Sequence, residues 1–166
     1  EDFWAVRDVD LDIAPGSMLG IVGANGSGKS TLLKMLAGIV TPTTGTVESE
    51  GRLGALMEVG VGFHPDLTGY ENIEYGAKFL GLSAEERRRR IVENMEKRGL
   101  SESMHEKVRT YSHGMRRRLG LSEVLVKKPE IAVLDEPTQG LDPESASEFL
   151  YLIRYLKRNE EITILL

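Results

Sequence analysis

The apolar run LGIV (19–22) leads straight into GANGSGKST (23–31), and few folds accommodate that junction. A short apolar run that ends on a glycine-rich turn reads as a buried strand. The turn sets Gly23, then after four residues Gly28, Lys29 and Ser30, which is the spacing of a phosphate-binding loop. Glycines let successive backbone N–H groups turn inward, so Gly23, Ala24, Asn25, Gly26, Ser27 and Gly28 can line an anion-binding hollow. A helix is expected to start within the loop, run through STLLKMLAG and stop near Gly38, aiming its positive end at the same point. Lys29 then reaches the β- and γ-phosphates of a nucleoside triphosphate, Ser30 supplies a hydroxyl ligand to Mg²⁺, and Thr31 serves the α-phosphate side. The alternative is a glycine-rich strand-to-helix turn with a surface lysine, against which the flanking strand and helix weigh.

A second segment complements the first. IAVLDEP (131–137) reads as another buried strand ending on two carboxylates. Asp135 would stand near the metal, and Glu136, pointing elsewhere in the pleat, would act as general base on an attacking water or orient it. A solvated strand exit is the competing reading. The C-terminal end of a parallel strand, beside a phosphate loop, is where ligands bind in such sheets.

Between these strands the helix starts are well marked. Thr68 with Glu71, and Ser83 with Glu86, form capping-box patterns; Ser112 opens a helix that stops before Pro129; Asp142–Pro143 reads as N-cap and first-turn proline of a helix to about Arg158. TPTTGTV (41–47) is turn chemistry leading into a strand, GRLGALMEVGVGF (51–63) a strand then a mobile loop, and ITILL (162–166) a last apolar strand. The expected class is α/β with a largely parallel sheet. A nucleotide-binding core of residues 1–67 and 129–166 would carry an inserted helical subdomain, 68–128. Glu85–Arg89 and Glu86–Arg90 sit at helical pairing distance, and the arginines of MRRR (115–118) are expected on the surface. The net charge of −5 disfavours nucleic acid as a partner, the absence of cysteine excludes disulfides and thiolate metal sites, and no stretch is apolar enough to span a bilayer. With Glu1 first and an apolar strand last, both ends read as cut.

Taken together, these residues resemble the ATP-binding domain of ABC transporters, over nearly the whole chain. GANGSGKST stands for its Walker A segment, IAVLDE for Walker B and TQGLD (138–142) for its D-loop. YSHGM (111–115) lies where the signature LSGGQ belongs; Ser112 and Gly114 match, while Tyr111, His113 and Met115 depart. The resemblance implies a P-loop nucleoside triphosphatase fold, ATP and Mg²⁺ as ligands, and head-to-tail pairing with a second such domain. ATP on one Walker A would be covered by the partner's Ser112 and Gly114, and an integral membrane permease would hold the pair at the cytoplasmic face of the membrane. Glu58 is the best-placed residue for the family's Q-loop glutamine, the alternative being a charge on a mobile loop. The family's switch histidine belongs a few residues past ITILL, a place none of His64, His105 and His113 occupies. Trp4 and Phe3 are the candidates for stacking on adenine. On this reading the 166 residues alone bind Mg·ATP weakly and do not hydrolyse it appreciably. LMEVGVGFHPDLTGYENI (56–73) is similar to exporters of O-antigen polysaccharide and teichoic acid, with residues 63–70 as the expected permease-docking loop. Drug, haem or lipid exporters and non-transport ABC ATPases are the alternatives.

Overall fold

In a computed structural model, which describes residues 3–57 and 62–166, four short parallel strands set the frame. They are β1 (Met18–Leu19), β2 (Leu53–Leu56), β3 (Ile131–Leu134) and β4 (Thr163–Leu165), ordered β1-β4-β3-β2. Parallel neighbours need crossovers, and helices supply them. α1 (Lys29–Leu36) follows β1. α2 (Gly69–Ala77), α3 (Ala84–Lys97) and α4 (His113–Val126) lie between β2 and β3. α5 (Pro143–Asn159) joins β3 to β4.

Alternation along the strands decides which helix covers which face. Val133 and Leu165 point one way and bury Leu33 of α1. Ala132, Leu134 and Ile164 point the other way and pack with Leu121 and Leu125 of α4 and Phe149 and Ile153 of α5. A second apolar cluster joins Ile73, Ile91, Met95 and Leu119, from α2, α3 and α4, with Leu100 just beyond α3. α4 therefore carries residues into both clusters. No helix among the described residues is long and apolar enough to cross a membrane.

The caps form as their local patterns dictate. Thr68 Oγ1 accepts from Glu71 N while Glu71 Oε2 accepts from Thr68 N, a complete capping box. At Ser83 only half the box forms, because the Glu86 carboxylate turns to Arg89 and Arg90 instead. Ser112 and Asp142 cap α4 and α5.

Three expectations need correction. LGIV is not a buried strand: β1 ends the strand order with β4 as its one neighbour, so Met18 is exposed and Val22 is 96% exposed. The ladder continues only as far as Ile21 N bonding Leu166 O. Residues 46–50 are exposed and form no strand, since no neighbouring edge pairs with them and Gly51 turns the chain at φ +103°. Arg89 pairs with Glu86 and Glu93 rather than with Glu85.

Candidate functional site

Packing fixes where the glycine loop points. Leu33 is 2% exposed against Val133 and Leu165, so α1 is pinned to the sheet and its N-terminus faces the C-terminal end of β3. The loop itself needs left-handed turns, Gly26 at φ +80° and Gly28 at φ +91°. Gly28 also sits under the N-terminal segment, where a Cβ would meet the Ala5 carbonyl oxygen at 2.2 Å. Unlike α2, α3, α4 and α5, α1 starts without a side-chain cap, and its first turn holds no acid. Its leading N–H donors and positive end are left for an anion. The Lys29 ammonium is held over the loop by the carbonyls of Gly23 and Ala24, each at 2.9 Å.

From the sheet side, Asp135 N bonds Leu56 O, continuing the β2–β3 ladder to the last residue before the turn. This brings the Asp135 carboxylate to α1, where Ser30 Oγ donates to Asp135 Oδ1 at 3.1 Å. Glu136 follows in a left-handed conformation, φ +43°. Phe3, Ala5, Asn25, Gly26, Gly28, Lys29, Ser30, Thr31, Glu136 and Gln139 surround a cleft of about 280 Å³. Phosphate fits such a cradle, offering backbone donors, an ammonium and no side chain at its glycines. Magnesium fits too: it commonly takes one or two protein oxygens and completes its shell with waters and phosphate. Among the described residues no group of three or more His, Cys, Asp or Glu stands ready to cage a metal alone.

The structure thus gathers Asn25, Gly26, Gly28, Lys29, Ser30, Thr31 and Glu136 at one cleft, with Asp135 bonded to its rim. Gly23, Ala24 and Ser27 complete the loop behind it, the Ser27 side chain folding over Gly23. Ser112 and Gly114 do not line the cleft. They begin α4, where Ser112 Oγ accepts from Met115 N at 3.2 Å, and they lie beside the first turn of α5. There the Asp142 carboxyl is held below its usual range by hydrogen bonds from the Ser145 side chain and amide. Phe3 lines the cleft, whereas Trp4 lies under the Arg7 guanidinium, 5.4 Å from the ring centre. Glu58 lies outside the described residues.

Sequence reasoning missed two residues. Gln139 lines the cleft, and Arg117, expected on the surface with its neighbours in MRRR, is 4% exposed. Its Nη1 donates to Glu136 O at 3.0 Å and its Nη2 to Gln139 O. Burial pushes the Arg117 guanidinium down, an effect the nearby Glu136 carboxylate partly offsets. Counting helical turns back from Leu121 and Leu125, both core residues, would have placed Arg117 on the inward face.

Tyr111 is also buried, its hydroxyl donating to Ser103 O at 2.6 Å, and burial raises its pKa. A Cβ at Gly69 would lie 2.2 Å from that hydroxyl, so the signature-like segment and the start of α2 interlock. The loop at 63–70 is well bonded: Asn72 Oδ1 accepts from His64 N at 2.7 Å, and Val108 N donates to Leu67 O at 2.9 Å.

Residues 6–139 match the family described as ABC transporter. An O-antigen export system ATP-binding protein of Klebsiella pneumoniae is 39% identical over 98% of this chain and 66% of its own length. One of Myxococcus xanthus is 40% identical over 97% of this chain and 37% of its own length. A bacitracin transport ATP-binding protein of Bacillus licheniformis is 36% identical over 96% of this chain and 55% of that protein. The chain thus spans less than two thirds of the length of these relatives. Among solved structures, cbiO1 of Clostridium perfringens, part of the ABC transporter complex cbiONQ, is 26% identical with a TM-score of 0.83, over 97% of this chain and 70% of that one. A dimeric ATP-binding cassette in a post-hydrolysis state, bound to ADP and Pi, is 27% identical with a TM-score of 0.81, over 97% of this chain and 78% of that one.

Proposed function

The chain belongs to the ABC transporter family, and from that premise we propose that it is the nucleotide-binding, ATP-hydrolysing part of an exporter of polysaccharide or a polyol-phosphate polymer. The observation that carries the ATPase reading is the Ser30–Asp135 hydrogen bond, which sets a hydroxyl and a carboxylate side by side at the rim of the glycine-loop cleft. Those two groups would hold Mg²⁺, which would supply charge neutralisation for the phosphates. Lys29 and the backbone amides of residues 23–31 orient the triphosphate in line for attack. Glu136, which lines the same cleft as Lys29, takes the proton of the attacking water. Phe3 is the better placed aromatic for the base.

Ser112 and Gly114 act in trans, on nucleotide held by a second copy in a head-to-tail dimer. Their position at the start of α4, away from their own cleft, supports this. The solved dimer bound to ADP and Pi supports it as well. Residues 68–128 form a helical subdomain on a core made of 1–67 and 129–166, supported by the separate apolar cluster of α2, α3 and α4. The 63–70 loop, where the core passes into this subdomain, docks a permease, which keeps the assembly peripheral at the cytoplasmic face of the membrane. The polymer substrate rests on the names of the relatives at 39% and 40% identity; the bacitracin transport relative keeps another exporter ATPase as the second reading.

The test is nucleotide binding and turnover in the full-length chain. Lys29→Ala is expected to abolish ATP binding, and Glu136→Gln to bind ATP and stop hydrolysing it. Unchanged turnover in Glu136→Gln removes Glu136 as the base.

A further inference from the structure

Glu136 occupies a backbone conformation that its own sequence opposes twice. A φ of +43° is uncommon for any residue with a Cβ. The next residue is Pro137, whose ring further narrows what the preceding residue can adopt. Such a conformation persists only where the surroundings over-determine it. The surroundings here form two overlapping turns, 136–139 closed by Gln139 N donating to Glu136 O at 3.0 Å, and 138–141 closed by Leu141 N donating to Thr138 O at 3.2 Å. One side chain then grips the 136–139 turn at both ends, since Arg117 Nη1 bonds Glu136 O and Nη2 bonds Gln139 O. Among the described residues no other side chain donates a hydrogen bond to this turn. Just beyond it, a Cβ at Gly140 would lie 3.5 Å from His113 Nε2, so the first turn of α4 also backs the loop.

Packing alone does not call for arginine at this position. Its helix neighbours Leu119 and Leu121 are fully buried, and an apolar side chain of similar length would fill the space without desolvating a charge. Among the described residues the Arg117 Nε has no partner, and the guanidinium bonds the two carbonyls alone. The same turn carries both Glu136 and Gln139, which line the cleft together with Lys29.

We propose that Arg117 is a positioning residue for hydrolysis: reaching from α4, its guanidinium locks the 136–139 turn and so holds the Glu136 carboxylate at the cleft. The proposal rests on the reading of Glu136 as the base, and it adds a residue outside the segments GANGSGKST, IAVLDE, TQGLD and YSHGM. Its signature is a loss of turnover without a loss of nucleotide affinity, because Arg117 is not among the residues that line the cleft.

Arg117→Met and Arg117→Lys in the full-length chain supply the test, read by kcat, ATP Kd, melting temperature and hydrogen exchange at the Gln139 and Leu141 amides. For Arg117→Met the expected result is a kcat lowered about tenfold or more, in line with what slight misplacement of a reacting group costs. Its ATP Kd should stay within about twofold, a difference well under the 1.4 kcal/mol of a tenfold change, while both amides exchange faster. Arg117→Lys, which keeps the charge but can grip fewer acceptors, should fall between. Wild-type kcat in a folded Arg117→Met overturns the proposal, as does a fall in kcat and affinity in step with the melting temperature. Should Arg117→Met not fold, Arg117→Lys decides by the same kcat and Kd comparison. If the wild-type chain shows no hydrolysis, it is the ATPase reading that fails; unchanged exchange at Gln139 and Leu141 in the variants would then separately refute the lock.

Discussion

Three glycines in and beside the phosphate loop separate backbone strain from steric clash. Gly20 has no positive φ and open space where a Cβ would go. Gly20→Ala is expected to be neutral or to stabilise by about 0.4–1 kcal/mol, through the unfolded chain alone. Gly26 has open space but φ +80°, so Gly26→Ala adds the left-handed penalty of about 1–2 kcal/mol. Gly28 has φ +91° and two obstacles, the Ala5 carbonyl oxygen 2.2 Å and Val6 Cγ2 3.1 Å from an added Cβ. The carbonyl is backbone and cannot swing aside, so the segment from Phe3 must lift off the loop. Gly28→Ala therefore costs more than Gly26→Ala and also disturbs the cleft that Phe3 and Ala5 line. At about 2–4 °C per kcal/mol for a chain of this size, calorimetry should find Gly20→Ala at or above wild type, Gly26→Ala roughly 2–8 °C below, and Gly28→Ala lower again. A Gly28→Ala melting temperature equal to or above that of Gly26→Ala would refute the claim that the N-terminal segment packs on the loop.

Removing the Ser30 hydroxyl should raise the Mg²⁺ concentration needed for half-maximal ATP turnover while leaving the fold intact, checked by Mg²⁺ titration of Ser30→Ala; an unchanged requirement would exclude Ser30 as a ligand. The Glu86 carboxyl is lowered to about 2 by hydrogen bonds from Arg90 and Arg89. Since its folded pKa is depressed, its contribution is full above the ordinary carboxylate value near 4.5 and is lost as pH falls toward about 2. Glu86→Gln should accordingly flatten the acid decline in melting temperature across that window. Arg98 is buried with Glu160 at 3.6 Å, an ion pair too long for a hydrogen bond, and burial lowers the arginine's pKa. Glu160→Gln should destabilise by about 1–2 kcal/mol, less than for a fully buried pair because the carboxylate is 34% exposed, whereas Arg98→Met should be near neutral. Urea titration of both variants checks the asymmetry.

What could be read from the sequence was what is encoded locally. Thr68, Ser83, Ser112 and Asp142 cap helices through bonds to residues three positions on, so the pattern and the structure coincide. The glycine loop is equally local, its φ values set by glycines at fixed spacing. Features decided by distant partners were not legible. Whether β1 is central or an edge depends on which strands flank it, and LGIV looks the same in either place. Helical spacing from Leu121 and Leu125 puts Arg117 on the inward face, but that its guanidinium finds acceptors there depends on the turn that β3 delivers against α4. The choice of Glu93 over Glu85 as a partner for Arg89 depends on rotamers that spacing alone leaves equal.

The central claim, that the nucleotide site is shared between two copies, is tested most directly by mixing two inactive variants of the full-length chain. Lys29→Ala spoils the glycine loop but leaves Ser112 intact, and Ser112→Arg does the reverse. In a head-to-tail pair of one of each, one site carries both lesions and the other carries neither. ATP hydrolysis should therefore reappear on mixing, where each variant alone is silent. A mixture as inactive as its components, with mixed dimers verified, would contradict the shared site. Substantial activity of Ser112→Arg on its own would contradict it as well.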